Sequence, residues 1–285
     1  MASQRSKSGE RNPMLVKRLL VTLVLLPVGL AAIVAGGWYL TALVALFMCL
    51  AAWEYVQLFR ASGIKPAGVL VVGGTLLFII GRNVNGFESA SWMISLLILL
   101  SMAYHLVAYE RGRDQAGTDF AVTLAGMFYI GWIGAYFISL RNLPEGKWWI
   151  LVVLPAVWFA DSAAYFIGKS LGCHKLCPRL SPKKTWEGYI GGIVAAVLFT
   201  ALFAAIWRVG AGPSSAITPL RGALVGLVMG IFPTLGDVGE SMIKRQVGVK
   251  DSGNLLPGHG GAFDRVDSWL WAVVLGYYLV LWLWT

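Results

Sequence analysis

Long apolar runs separated by short polar connections dominate the chain. With about 20 apolar residues per bilayer crossing, the pattern predicts nine helices, at 19–36, 38–58, 67–81, 90–109, 120–140, 148–168, 189–207, 220–236 and 268–284. The run at 67–81 is short and weak. Only Gly36-Gly37 separates the first two runs, which demands a tight hairpin. Membrane β-barrels are the other spanning architecture, but their strands alternate in polarity and these runs do not. The predicted fold class is therefore all-α, a polytopic membrane protein. Residues 1–18 form a polar, basic tail, and 19–285 form a single helical domain with no internal repeat. The tail could be the basic flank of a signal peptide. The apolar stretch behind it continues almost unbroken to Trp53, so it reads as an uncleaved first anchor. Met14 offers an alternative start, which would make 2–13 a dispensable tail.

Composition agrees. Of 285 residues, 58% are hydrophobic and 13% charged, against roughly 25% charged in a soluble domain. That excludes an ordinary cytosolic enzyme, a disordered chain, a disulfide-rich secreted module and a nucleic-acid-binding domain. The net charge is +9. On a soluble protein it would suggest a polyanion partner, but here its distribution matters more. Alternating the connections between two sides puts 18 Lys and Arg on one side, with the N-terminus. Only five, Arg82, Arg141, Lys147, Arg208 and Arg221, fall on the other. The bias predicts a cytoplasmic N-terminus and, after nine crossings, an external C-terminus.

The polar residues that suggest chemistry crowd the half at about 150–285. Asp161 ends an apolar run, and an ionisable residue at that depth is costly enough to imply a function; interfacial hydration is the plainer account. Ser181-Pro182-Lys183-Lys184-Thr185-Trp186-Glu187-Gly188 precedes the next span. Ser181 or Thr185 could cap that helix, and Lys183 and Lys184 could meet phosphate oxygens or simply anionic lipid heads. Asp237, Glu240, Ser241, Lys244 and Arg245 share one helical face. Asp264 and Asp267 share another at the entrance to the last span. Between them, Gly258, Gly260 and Gly261 surround His259, a backbone built for close approach. Grouped carboxylates suit Mg²⁺, which takes one or two carboxylates plus substrate phosphates and water. A pair of metals could clamp both the attacking and leaving oxygens of a phosphoryl transfer. A salt-bridged helix of mixed charge is the plainer alternative. Cys173 and Cys177 flank His174, but without a second cluster they read as free thiols rather than a metal site. The chain has no phosphate-binding P-loop, dinucleotide fingerprint, nucleophile elbow or H-E-x-x-H motif.

Four stretches together carry a family. They are Ser241-Met242-Ile243-Lys244-Arg245, Lys250-Asp251-Ser252-Gly253, Leu256-Pro257-Gly258-His259-Gly260-Gly261 and Asp264-Arg265-Val266-Asp267. This sequence of fixed polar positions resembles the C-terminal pattern of the phosphatidate cytidylyltransferases (CDP-diacylglycerol synthases). Ala160-Asp161-Ser162-Ala163-Ala164-Tyr165, the 181–188 segment and Gly236-Asp237 are also similar to that family.

The resemblance implies a polytopic, Mg²⁺-dependent enzyme of the bacterial inner membrane. Its reaction joins CTP and phosphatidate to give CDP-diacylglycerol and pyrophosphate, and a homodimer is compatible with it. The lipid phosphate would attack the α-phosphorus of CTP in line, so catalysis would rest on positioning and charge neutralisation. Asp237 and Asp264 are the expected metal ligands, with Asp161, Glu240 and Asp267 as further ligands or orienters. Lys183, Lys184, Lys244, Arg245 and Arg265 would hold phosphates, with Ser181 and Thr185 beside them. His259, with Gly258, Gly260 and Gly261, would line the nucleotide or pyrophosphate pocket. A relative acting on an isoprenoid-ether lipid is the nearest alternative. An ion-coupled transporter is the non-enzyme alternative; it would need polar residues at mid-bilayer and a repeat between halves.

Overall fold

The computed structural model describes residues 13–249, 252–253 and 260–284, with side chains from Leu23 onward. Its helices are α1 (Pro13–Ala35), α2 (Gly37–Ala61), α3 (Gly68–Asn85), α4 (Ala90–Glu110), α5 (Ala116–Gly126), α6 (Tyr136–Asn142), α7 (Gly146–Leu171), α8 (Trp186–Ala211), α9 (Pro219–Ile231), α10 (Thr234–Gln246) and α11 (Phe263–Trp284). Among the described residues, eight helical segments are long and apolar enough to cross a membrane, and Leu23–Ala35 of α1 is a shorter apolar helix. Each expected run corresponds to one of these nine. The chain is a multi-pass membrane protein.

Departures from the sequence reading have local causes. Helix α1 begins at Pro13, so 13–18 of the supposed tail are already helical, while 1–12 lie outside the described residues. Helix α3, expected to stop near 81, runs on to Asn85 because the Arg82 charge is buried rather than solvated. Its guanidinium lies over Phe87 at 3.5 Å and Trp132 at 4.6 Å, and donates to Ser139 Oγ at 2.6 Å. A cation over aromatic faces offsets much of its desolvation. The fifth span is interrupted by a π-helical turn at Met127–Trp132. The eighth kinks at Phe232-Pro233, where Pro233 cannot continue the ladder of α9. The polar face of Asp237, Glu240, Ser241, Lys244 and Arg245 thus belongs to α10, the continuation of that span. The all-α fold also carries one small hairpin, β1 (Lys175–Cys177) against β2 (Ser181–Thr185). Pro178 and Pro182 deny this polar stretch a helix.

The C-terminal bundle packs through small residues. Gly222, Gly226 and Gly230, spaced four residues apart, form a stripe on α9 against Thr200, Ala196 and Ile193 of α8. A side chain at Gly226 would overlap the Ala196 carbonyl. Such small-xxx-small stripes let helix backbones approach in lipid, where no hydrophobic driving force separates helix from solvent. Helix α7 is buried through Trp149–Leu154 and packs on α8, α9 and α11, so it is the rigid post of this half. Alternation of crossings places the connections 62–67, 111–115, 172–185 and 247–262 on one side.

Candidate active site

Helix α10 delivers its acids and cation from the end of the eighth span, and α11 delivers Asp264 and Asp267 in its first turns. Lys244 Nζ bridges the two helices, 3.0 Å from Glu240 Oε2 and 2.6 Å from Asp264 Oδ1. Asp264 Oδ2 accepts from Gly261 N at 2.9 Å, Ser252 N at 3.1 Å and Ser252 Oγ at 2.8 Å. Asp264 is therefore a hub: one oxygen faces a cation and the other gathers Ser252 and Gly261. Gly260 has φ +81, a backbone that favours glycine, and Gly261 sits where any side chain would overlap Ser252 Oγ and Glu54.

A second group adjoins the first. Lys184 Nζ, from β2, contacts Asp237 Oδ2 at 2.7 Å. Ser241 Oγ lies 3.4 Å from Asp237 Oδ1. Asp161 interacts electrostatically with both Lys184 and Asp237, and Asp267 with Asp237 and Asp161. Asp267 is buried, with Oδ1 accepting from Ser268 N at 2.5 Å. The hairpin thus brings Lys184 onto the acids of α7 and α10.

The remaining expected residues fall differently. Thr185 is buried and caps α8, its Oγ1 accepting from Gly188 N at 3.2 Å. Ser181 starts β2, and Lys183 is exposed on that strand. Arg245 turns away from the carboxylates, and its Nη1 donates to Val249 O at 3.4 Å. Arg265 is exposed beside Asp264. Gly258 and His259 lie outside the described residues. Cys173 and Cys177 are free thiols, and His174 Nδ1 pairs with Glu187 Oε1 at 2.6 Å.

One acid went unread in the sequence. Glu54 of α2 is buried, 3% exposed. Its Oε2 accepts from Phe263 N at 2.9 Å and lies 3.2 Å from Ser252 Oγ, which ties the N-terminal half to the first turn of α11. The signal was present: a carboxylate inside the apolar run Ala51-Ala52-Trp53-Glu54-Tyr55-Val56, the same argument that singled out Asp161.

A cavity of about 530 Å³ opens beside these groups. Its walls are apolar, from Leu30 and Ile33 of α1, Phe47 of α2, and α7 from Ile150 to Trp158; Asp161, Asp264, Arg265 and Asp267 also line it. From Ile150 to Asp161 the helix rises about 16 Å. An apolar channel that meets carboxylates and a guanidinium suits a molecule with a long hydrocarbon tail and an anionic head.

Sequence comparison decides the family. The chain matches the cytidylyltransferase family over residues 16–283. It belongs to the cytidylyltransferase family. A phosphatidate cytidylyltransferase of Bacillus subtilis is 35% identical over 270 residues, 93% of this chain and 97% of the relative. One from Synechocystis sp. is 32% identical over 292 residues, 93% of this chain and 96% of the relative. One from Brucella suis reaches 45% over 154 residues, 54% of each chain.

For a cytidylyltransferase-family site, the donor set can be tested against a divalent ion. Among the described residues, no three His, Cys, Asp or Glu groups converge into a ready metal cage. The set is instead partial. Asp161, Asp237 and Asp267 carry three hard carboxylates against the single ammonium of Lys184, and Glu240 Oε1 is buried without a protein partner. Magnesium usually takes one or two protein carboxylates and completes its shell with water and substrate phosphates. The residues fit that mode. Asp237 is the better placed of the two expected ligands: Asp264 is held closely by Lys244, Ser252 and Gly261, whereas Asp237 has one close partner, Lys184, and only a long contact of 3.4 Å from Ser241 Oγ.

Proposed function

We propose that this chain is a phosphatidate cytidylyltransferase: it transfers the cytidylyl group of CTP to phosphatidate and releases CDP-diacylglycerol and pyrophosphate. Family membership and the names of relatives matched almost end to end support the reaction class. The apolar cavity that meets Asp161, Asp264, Arg265 and Asp267 carries the lipid half of the proposal.

A phosphate oxygen of phosphatidate attacks the α-phosphorus of CTP. The bond from that phosphorus to the bridging oxygen breaks, and pyrophosphate leaves with the electron pair. The nucleophile is already ionised, so no strong base is needed. The protein's work is to align two polyanions and neutralise their charge. Lys184, Lys244 and Arg265 supply that charge, with the exposed Lys183 and Arg245 at the entrance and Gly258, His259, Gly260 and Gly261 at the nucleotide. Asp237, with Asp161 and Asp267 beside it, would hold Mg²⁺, which would neutralise phosphate charge when bound. Glu54, Ser252 and Asp264 keep the first turn of α11 in register with α10.

The bias of 18 cations to five supports a cytoplasmic N-terminus, an external C-terminus and an inner-membrane location. CTP then arrives from the cytoplasm and the acyl chains stay in the bilayer. Purified protein incubated with labelled CTP, Mg²⁺ and phosphatidate should yield a lipid-soluble cytidine product. Product only with an isoprenoid-ether lipid phosphate would shift the substrate assignment, and product with neither would overturn the proposal.

A further inference from the structure

A second pocket lies away from the catalytic groups, on the same side of the bundle. It has a volume of about 580 Å³ and is lined by the end of α4 (Ala103–Arg111 region), Lys65, Arg113 and Asp119. Its floor is tightly satisfied. Arg113 Nε and Nη2 hold Asp119 Oδ2 and Oδ1 at 2.6 and 3.0 Å, and Nη2 also donates to Gly63 O at 2.8 Å. Lys65 N donates to Asp119 Oδ1 at 2.8 Å. The Arg113–Asp119 pair therefore cancels. Lys65 and Arg111 remain, both exposed, and among the described residues neither side chain is paired with a carboxylate. Asp114 lies near Arg113 but does not line the pocket.

His105 also lines the pocket, and it is buried at 3% exposure. The hydrogen-bond network fixes its tautomer. Thr123 Oγ1 spends its one hydrogen on Asp119 O at 2.7 Å, so at 2.9 Å from His105 Nε2 it must accept. Nε2 thus carries the proton, and Nδ1 is a bare acceptor with no protein partner. The outer wall, Tyr104 and Val107, is apolar and exposed on a helix that crosses the membrane. Two unpaired cations, one orphan acceptor and an apolar outer wall at a helix end form a composite feature that the catalytic account does not use.

We infer that the pocket between Lys65, His105 and Arg111 is a second lipid site, holding the head of an anionic glycerophospholipid. The cations take the phosphate, His105 Nδ1 accepts from a headgroup hydroxyl, and the acyl chains lie along Tyr104 and Val107. Basic pockets between membrane helices bind such heads for the same reasons.

The test uses phosphatidylglycerol, which carries both a phosphate and hydroxyls, with phosphatidylcholine as the neutral comparison. Delipidated full-length protein is titrated with each, and retention is read by native mass spectrometry. Wild type should hold phosphatidylglycerol preferentially. Lys65→Gln with Arg111→Gln should weaken it about 25-fold, at about fivefold per cation lost, and leave phosphatidylcholine binding unchanged. The charge-preserving pair Lys65→Arg with Arg111→Lys should restore retention and guards against a folding artefact. Unchanged retention in the glutamine pair would overturn the site. So would loss of the preference in Lys184→Gln, which would place the lipid at the catalytic cations. Displacement by equimolar glycerol 3-phosphate would mark a site for a soluble phosphate and overturn the lipid assignment.

Discussion

Glu54 and Ser252 are 198 positions apart in the chain, yet the serine hydroxyl lies 3.2 Å from Glu54 Oε2 and 2.8 Å from Asp264 Oδ2. Its single hydrogen serves the nearer Asp264, and the serine thus sits between a carboxylate of the second span and one of the last. Because Glu54 also holds Phe263 N, it sets where α11 begins and hence where Asp264 and Asp267 point. Glu54→Ala should lower kcat about a hundredfold, since a misplacement of about 1 Å at the reacting groups costs that much. Glu54→Gln keeps an acceptor and should lose less. Steady-state kinetics of both variants, with circular dichroism to show retained helix, checks this. Equal activity in Glu54→Ala and wild type would show that the tie is idle.

Lys184 answers the charge of Asp237 at 2.7 Å, beside Asp161 and Asp267. Lys184→Ala leaves three carboxylates without that ammonium. The apparent KM for CTP should rise roughly tenfold or more, because a charge-assisted contact to phosphate is worth about 1.5–3 kcal/mol. Titration of CTP at fixed phosphatidate measures it. Lys183→Ala, at an exposed position, should change it far less.

The apolar cavity makes a different prediction. Phe47 and Leu30 line its wall, and so does Gly29 of α1, where a side chain would begin in open space. Gly29→Trp should obstruct it. KM for a long-chain phosphatidate should then rise severalfold, while a six-carbon analogue dispersed in detergent should be used nearly as before. A loss that is equal for both chain lengths would mean that the cavity does not hold acyl chain.

Packing rather than chemistry governs the α8–α9 seam. Gly226→Leu must push apart backbones that now touch at Ala196, and overpacking of this kind typically costs about 1–3 kcal/mol. The melting temperature in detergent should fall, with partial loss of activity. Val209→Ala, on the exposed end of α8, should leave it unchanged.

The spans were legible because bilayer thickness imposes a length that apolar runs must meet. The end of α3 was not, since Arg82 looks like a terminator until Phe87 and Trp132 are seen beneath it. Asp237, Glu240, Lys244, Asp264 and Asp267 were legible as helical faces. Their division into a Lys184–Asp237 group and a Lys244–Asp264 group was not, because it depends on how α10, α11 and the hairpin meet. Arg245 illustrates the limit of a face argument: spacing put it with Lys244, but its guanidinium bonds Val249 O. Glu54 carried the same intramembrane-acid signal as Asp161. It escaped notice because its partners are nearly 200 residues downstream, a distance that no local pattern spans.

The most direct measurement follows the phosphorus atoms of CTP. Parallel reactions with α-labelled and γ-labelled CTP, phosphatidate and Mg²⁺ should put the α-label into the lipid fraction and the γ-label into pyrophosphate, one for one. Asp264→Asn should abolish both while the protein stays folded and membrane-inserted. Label from the γ-phosphate in lipid, or near-normal transfer by Asp264→Asn, would contradict the account.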